Sequence, residues 1–375
     1  MAKQAVLLLA HGTPETVEQI PEYLRNVVSG RSLPQAVVEE IQRRYALIGR
    51  SPLTEITFEQ GRLVEAELAA TGLAETELAD AKTSASGQPV PVYVGMRNWH
   101  PYIADAVRQM RADGVEEAAV VCMAPQNSRT SVGLYRRAVG AEAAGLRIDF
   151  TESWAQHPLL AEAFAERLRP AWTRLSAEVG HAVPVLFTAH SVPCRTIQVS
   201  GGQTPAANDA QSRLWPGQDA DPYAPDPYAR EAKGTAALVA QRVPEIPRWW
   251  FAFQSQGASA GAPTDRSSSV GWSAGAPTDR SSSVGWSGGP GSWIGPTVEE
   301  TLESIAAEGV KTLLLQPIGF LCDHVEILYD VDILFRGFAA KRGVRLERPE
   351  SLNASLTLAR AVADLARQGL ARLKD

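Results

Sequence analysis

The sequence predicts an α/β protein of two similar units side by side, each a doubly wound parallel sheet flanked by helices. Three observations carry this. Six short runs are apolar almost without a break, as parallel strands are when both faces are covered. Segments of helical period lie between several of them, and that alternation belongs to α/β sheets. Three of the six runs fall in each half of the 375 residues, a length that holds two units of about 100–200 residues each.

In chain order the strands are "QAVLLLAHG", "PVYVGM" and "EAAVVCMAP", then "VPVLFTAHS", "WWFAFQSQ" and "KTLLLQPIGF". After the second, "HPYIADAVRQMRADGVEE" sets Ile103, Val107 and Met110 on one helical face, with Gly114 as the stop. Before the sixth, "TVEETLESIAAEGVK" opens with Thr297 and Glu300 in capping-box spacing and turns Leu302, Ile305 and Ala306 to a core. The stretch "NASLTLARAVADLARQGLARL" reads as an amphipathic helix with Asn353 as its N-cap.

Two segments break the pattern. Residues 259–272, "SAGAPTDRSSSVGW", recur unchanged as 273–286, and eight of the fourteen are Ser, Gly or Ala. Such a composition buries too little apolar area to offset its ordering entropy, so a flexible loop over 257–292 is expected, Trp272 and Trp286 included. Residues 200–225 form a second polar, Pro/Gly-rich excursion of the kind that borders a site.

Bulk properties narrow the function. With 45% hydrophobic and 21% charged residues the chain reads as a soluble globular protein, and a net charge of −6 with a pI near 5.7 excludes a nucleic-acid binder that relies on a basic face. The apolar run in "MAKQAVLLLAHG" is too short for a signal peptide, and no stretch reaches the ~18 apolar residues of a membrane span. Cys122, Cys194 and Cys322 fit neither a disulfide framework nor a paired-cysteine metal site. A cytoplasmic protein is expected.

Ligands of open parallel sheets bind beyond the carboxyl ends of the strands. Those ends carry His11-Gly12-Thr13, Met96-Arg97-Asn98, Pro125 to Ser128, His190-Ser191 and Gln254-Ser255-Gln256, and the sixth strand runs into "GFLCDHVEILYDVDIL". His11 and His190 thus sit at corresponding ends in the two halves, on one rim. Either taken alone reads as a plain loop histidine; together they suggest a cleft.

No Gly-x-Ser-x-Gly elbow surrounds Ser191, and neither dinucleotide nor phosphate-loop glycines follow a strand. What survives is imidazole plus carboxylate, a donor set suited to Fe²⁺, Co²⁺ or Zn²⁺. Glu326 and Asp330 are four apart and share one helical face, whereas His324 points elsewhere and reads as a supporting residue or part of a proton path.

At this point the motifs resemble those of the ferrochelatases, which insert Fe²⁺ into a porphyrin late in haem synthesis. "LFTAHSVP" is similar to the family's catalytic-histidine segment and places that role on His190; "PIGFLCDHVEILYDVD" places the catalytic glutamate on Glu326. "RRYALIGRSPL", "GMRNWHP", "APQNSRTSVGLY", "DPYARE" and "FAFQSQG" match further blocks in the family's order.

The resemblance implies two Rossmann-like, chelatase-type domains with the porphyrin in the cleft between them. Residues 1–152 would form the first, rejoined by a helix over 352–375, and 153–351 the second. It implies His190 and Glu326 as the groups that meet the metal, Asp330 and His324 as supports, and His11, Arg44, Ser51 and Tyr135 as porphyrin contacts. Fe²⁺ is then a substrate and no cofactor is consumed; three scattered cysteines speak against the [2Fe–2S] cluster of some members.

Several positions depart from the pattern. His11 replaces a tyrosine of coproporphyrin-type relatives, Val28 and Ser29 replace a basic pair, "IGRSPL" is one residue short, and Leu334 replaces an acid. Protoporphyrin IX and coproporphyrin III both stay open as substrates. So do a cobalt or nickel tetrapyrrole chelatase and a non-catalytic haem-binding protein on the same plan. A monomer is expected, with room for transient contact with a membrane surface or another enzyme of the haem pathway.

Overall fold

The computed structural model describes residues 2–30, 32–78, 90–193, 226–255 and 293–374. The excursions expected over 200–225 and 257–292 therefore lie outside the described residues.

The first sheet contains β1 (Gln4–Ala10), β2 (Val92–Met96), β3 (Glu117–Cys122) and β4 (Arg147–Thr151), all parallel in the order β2-β1-β3-β4. The second contains β5 (Val185–His190), β6 (Trp249–Gln254), β7 (Thr312–Pro317) and β8 (Arg345–Glu347), all parallel in the order β6-β5-β7-β8. The six apolar runs are the two inner strands and one edge strand of each sheet. The sequence reading of three strands per half is corrected to four. β4 and β8 close one edge of each sheet, and their charged "RIDFT" and "RLE" suit a solvent-facing edge rather than a buried run.

The helices are α1 (Ile20–Val27), α2 (Gln35–Ile48), α3 (Leu53–Leu78), α4 (Ile103–Ala112), α5 (Val132–Glu142), α6 (Pro158–Val179), α7 (Tyr228–Arg242), α8 (Val298–Ala307), α9 (Arg336–Ala340) and α10 (Leu356–Arg372). A π-helix spans Glu326–Phe335. No described helix is long and apolar enough to cross a membrane.

Alternation along each strand sends side chains to two cores. Ala5, Leu7 and Leu9 of β1 pack with α4 and α5, whereas Val6 and Leu8 enter a core shared with α3, α6, α7 and α10. That shared core also takes Val185, Phe187 and Ala189 of β5, while Leu186 faces α8 and the π-helix. The molecule is thus layered: helices, sheet, a common helical layer, sheet, helices.

Caps follow the sequence in one place and not in another. Thr297 accepts from the Glu300 N–H at 3.0 Å, as the capping box requires. Asn353, however, does not cap α10: Ser355 does, accepting from the Leu358 N–H at 3.2 Å.

Candidate active site

His190 is the last residue of β5, half-buried where the preceding residues of the strand are fully buried, and it lines the cavity described below. Its Nδ1 meets the Ser191 carbonyl. A carbonyl only accepts, so the ring proton sits on Nδ1 and Nε2 carries a lone pair. That Nε2 lies 3.5 Å from Glu326 Oε2. Glu326 opens the π-helix, and its Oε2 is buried with no hydrogen bond among the described residues. Two lone pairs at that separation repel unless a proton or a cation lies between them. Burial raises the Glu326 carboxyl, so it keeps a proton more readily than a solvated glutamate. Ser191 is occupied otherwise: its Oγ donates to the Ile294 carbonyl at 2.7 Å.

One π-turn on, Asp330 is 2% exposed. Its Oδ2 accepts from Ser255 Oγ at 2.8 Å, and its Oδ1 lies 3.4 Å from Arg44 Nη1. Burial, then the Glu326 charge, push its carboxyl up to about 7, against the pull of Arg44. A π-helix closes i→i+5 hydrogen bonds, is rare, and is frequently found at functional sites. The four-residue spacing keeps a second carboxylate within electrostatic reach of the first.

The opposite wall is built on β1. The polar contacts of His11 include Nδ1 with the Gly12 carbonyl at 3.2 Å and with Tyr23 Oη at 3.0 Å, and Nε2 with Asn98 Nδ2 at 2.9 Å. Asn98 Oδ1 accepts from Arg97 Nε at 3.3 Å, which orients the amide so that its NH₂ donates to Nε2. The His11 proton is therefore on Nδ1, and its other lone pair is engaged by Asn98. Burial first, then Arg97, lower its pKa to about 3, so the ring is neutral. Gly12, at φ +80°, has no room for a side chain, since a Cβ there would come within 2.9 Å of the Met96 Cβ.

A cavity of about 190 Å³ joins these walls and is lined by His11, Ser51, Tyr135, His190, His324 and Glu326, with apolar neighbours such as Met123 and Leu321. Ser51 is 6% exposed, and its Oγ has no hydrogen-bond partner among the described residues. Tyr135 carries the Arg97 guanidinium 5.6 Å above its ring centre. His324 lies just before the π-helix, so it reaches the cavity where a regular helix would have turned it away. Its Nδ1 bonds to the Cys322 carbonyl at 3.0 Å, and burial lowers its pKa.

Arg44 is placed differently: it is buried outside the lining, between Glu40 at 2.9 Å and Asp330, and 4.8 Å over the Tyr329 ring. Sequence reasoning noted Arg97, Asn98 and Ser255 at strand ends without giving them a role, and passed over Tyr23. It also passed over two carboxylates of "DPYARE". Asp226 accepts from Ser128 Oγ at 3.2 Å and the Arg129 N–H at 3.1 Å, and Glu231 from the Asn127 N–H at 2.6 Å. They tie α7 to the loop after β3.

An apolar cavity at the carboxyl ends of two parallel sheets, with a basic imidazole set against a carboxylate that burial leaves easily protonated, defines a site fitted to handle protons or a cation. The comparisons sharpen this. The ferrochelatase family model matches residues 3–262 and 283–370. A ferrochelatase of Acidobacterium capsulatum is 51% identical over 99% of this chain and 96% of its own. One of Thermus thermophilus is 32% identical over 96% and 97%, and a coproporphyrin III ferrochelatase of Mycolicibacterium vanbaalenii is 30% identical over 97% and 89%. The chain belongs to the ferrochelatase family, metal-inserting lyases of haem biosynthesis.

Proposed function

We propose that this enzyme inserts Fe²⁺ into a porphyrin bound in the cavity between the two sheets, with His190 and Glu326 as its acting pair. The observation that carries the reading is the 3.5 Å approach of His190 Nε2 to Glu326 Oε2 at the cavity wall. Insertion forms four nitrogen–iron bonds and releases the two pyrrole N–H protons. His190 Nε2, with its proton already placed on Nδ1, accepts one from the macrocycle. Glu326 takes part in iron delivery or in passing the second proton on, with Asp330 behind it and His324 beside it. His11, Ser51 and Tyr135 contact the porphyrin, His11 as a neutral wall. Arg44 acts through the acids, offsetting the charge of Asp330.

No cofactor is consumed, and no [2Fe–2S] cluster is needed. Arg97 is the one cation in the described lining, which favours a macrocycle with few carboxylates. The protein works in the cytoplasm as a monomer, and contacts with a membrane surface or a haem-pathway enzyme are transient. The chain divides into 1–152 with 352–375, and 153–351.

Iron insertion by purified protein, assayed in parallel on protoporphyrin IX and coproporphyrin III, tests the reading. His190→Ala and Glu326→Gln are each expected to lower kcat by about 10²–10⁴-fold, the usual contribution of a positioned acid or base. Wild-type rates in both variants would refute the pair.

A further inference from the structure

Asn353 has a left-handed backbone, φ +47°. Asparagine tolerates this better than most residues with a Cβ, yet it persists only where its surroundings over-determine it. Four hydrogen bonds do so. The side-chain Oδ1 accepts from the Asp323 N–H at 2.9 Å, and Nδ2 donates to Asp323 Oδ2 at 3.0 Å. The Asn353 N–H donates to the Leu321 carbonyl at 2.9 Å, and its carbonyl accepts from Gln60 Nε2 at 2.9 Å.

Asp323 is gripped from its other oxygen as well, by Ser351 Oγ at 2.7 Å and by Arg348 at 3.1 Å. Arg348 in turn makes two 2.8 Å hydrogen bonds to Asp332 in the π-helix. Of residues 319–326, all but Asp323 line the cavity. The turn that leads into Glu326 thus has one face toward the site and one side chain clamped from behind. The strap 348–353 supplies the clamp, and Gln60 on α3, itself in the lining, supplies its far anchor.

We propose that Asn353 is a positioning residue for Glu326, holding the 321–324 turn so that the carboxylate stands opposite His190 Nε2. Nothing in the cap chemistry of α10 needs it, because Ser355 fills that role. A polar strap confined to stabilising the fold would not have to converge on Leu321 and Asp323, in the turn that leads into the acting carboxylate. The inference rests on the reading of His190 and Glu326 as the acting pair.

Three variants separate positioning from plain stability. Asn353→Gly keeps the left-handed backbone without steric cost but removes the side-chain pairing. Its kcat is expected to fall about 10-fold or more, since small misplacements of a reacting group are costly, with the porphyrin KM changed less than about twofold. Asn353→Asp sets a carboxylate against that of Asp323 and is expected to fall at least as far. Exchanging the two, Asp323→Asn with Asn353→Asp, returns one donor and one acceptor to the contact and is expected to recover kcat to within about threefold of wild type, the signature of direct coupling.

Melting curves run beside the kinetics, and each rate is taken per folded molecule. Wild-type kcat in both single variants overturns the proposal, as does an exchange that stays folded without recovery. Glu326→Gln in the same assay keeps the two readings apart. If it is as active as wild type, the acting pair falls and this proposal with it. If it is inactive while the Asn353 variants are unimpaired, only the positioning role falls.

Discussion

His11 and His190 occupy equivalent strand ends, yet their hydrogen bonds give them different chemistry. His190 has its proton drawn to Nδ1 by a carbonyl, which leaves Nε2 basic toward Glu326; at His11 the corresponding Nε2 is engaged by the Asn98 amide. Residue type alone could not separate them, because the partners come from other parts of the chain. Asp330 adds a measurable pH effect. Its pKa rises to about 7 through burial and the Glu326 charge, so between the ordinary aspartate range and about 7 the native state holds a proton that the unfolded chain has released. Stability from this group is present at low pH and is lost as pH rises through that window. Asp330→Asn removes the slope and is expected to gain on the order of 1–4 kcal/mol relative to wild type between pH 4.5 and pH 8. Urea denaturation at the two values checks it; parallel losses in both proteins would refute the assignment.

At the scale of elements, β7 and β5 must approach closely where the site begins. Gly319 follows β7, and a Cβ there would lie 3.1 Å from the Ala189 Cβ and 3.2 Å from its Cα, next to His190. A strand backbone gives little, so Gly319→Ala is expected to cost about 1–3 kcal/mol, typical of overpacking, and to lower kcat by displacing His190. Thermal melting and insertion kinetics read the two effects separately; a variant unchanged in both would show that the strand end yields freely. Six strands, the edge strands β2 and β6 among them, were legible because continuous apolar runs have few other uses. β4 and β8 were not, since these two edge strands mix charge with apolar residues and β8 is only three residues long. The π-helix was invisible too: its wider ladder leaves no distinct apolar period in "EILYDVDILF". Asn353 was misread because an asparagine ahead of an amphipathic run is a good cap signal, and Ser355 two residues later satisfies the same rule.

Across the whole molecule, the candidate histidine and glutamate could be placed from their motifs, but the layering could not. It depends on which helices share a core, and α10 shares one with β3, α3 and α6. Gly369 shows how close the contact is, since a Cβ there would meet the Ala119 Cβ at 3.0 Å. Leu358, Val362 and Leu370 are buried in that layer, at roughly 1.5–3 kcal/mol each. Their sum is comparable to a typical total stability of about 5–15 kcal/mol. Deleting residues 356–372 is therefore expected to abolish cooperative unfolding; a sharp melting transition in the truncated protein would contradict this.

The same contact sets an order of events during synthesis. The first sheet is complete once Thr151 has left the ribosome, but the helix that closes one of its faces emerges only some 200 residues later. At about 5–20 residues per second that is a wait of roughly 10–40 s. Through that interval Leu8 and Val121, both in the shared core, have no α10 above them. A nascent chain in that condition is a natural client for chaperones that mask apolar surface.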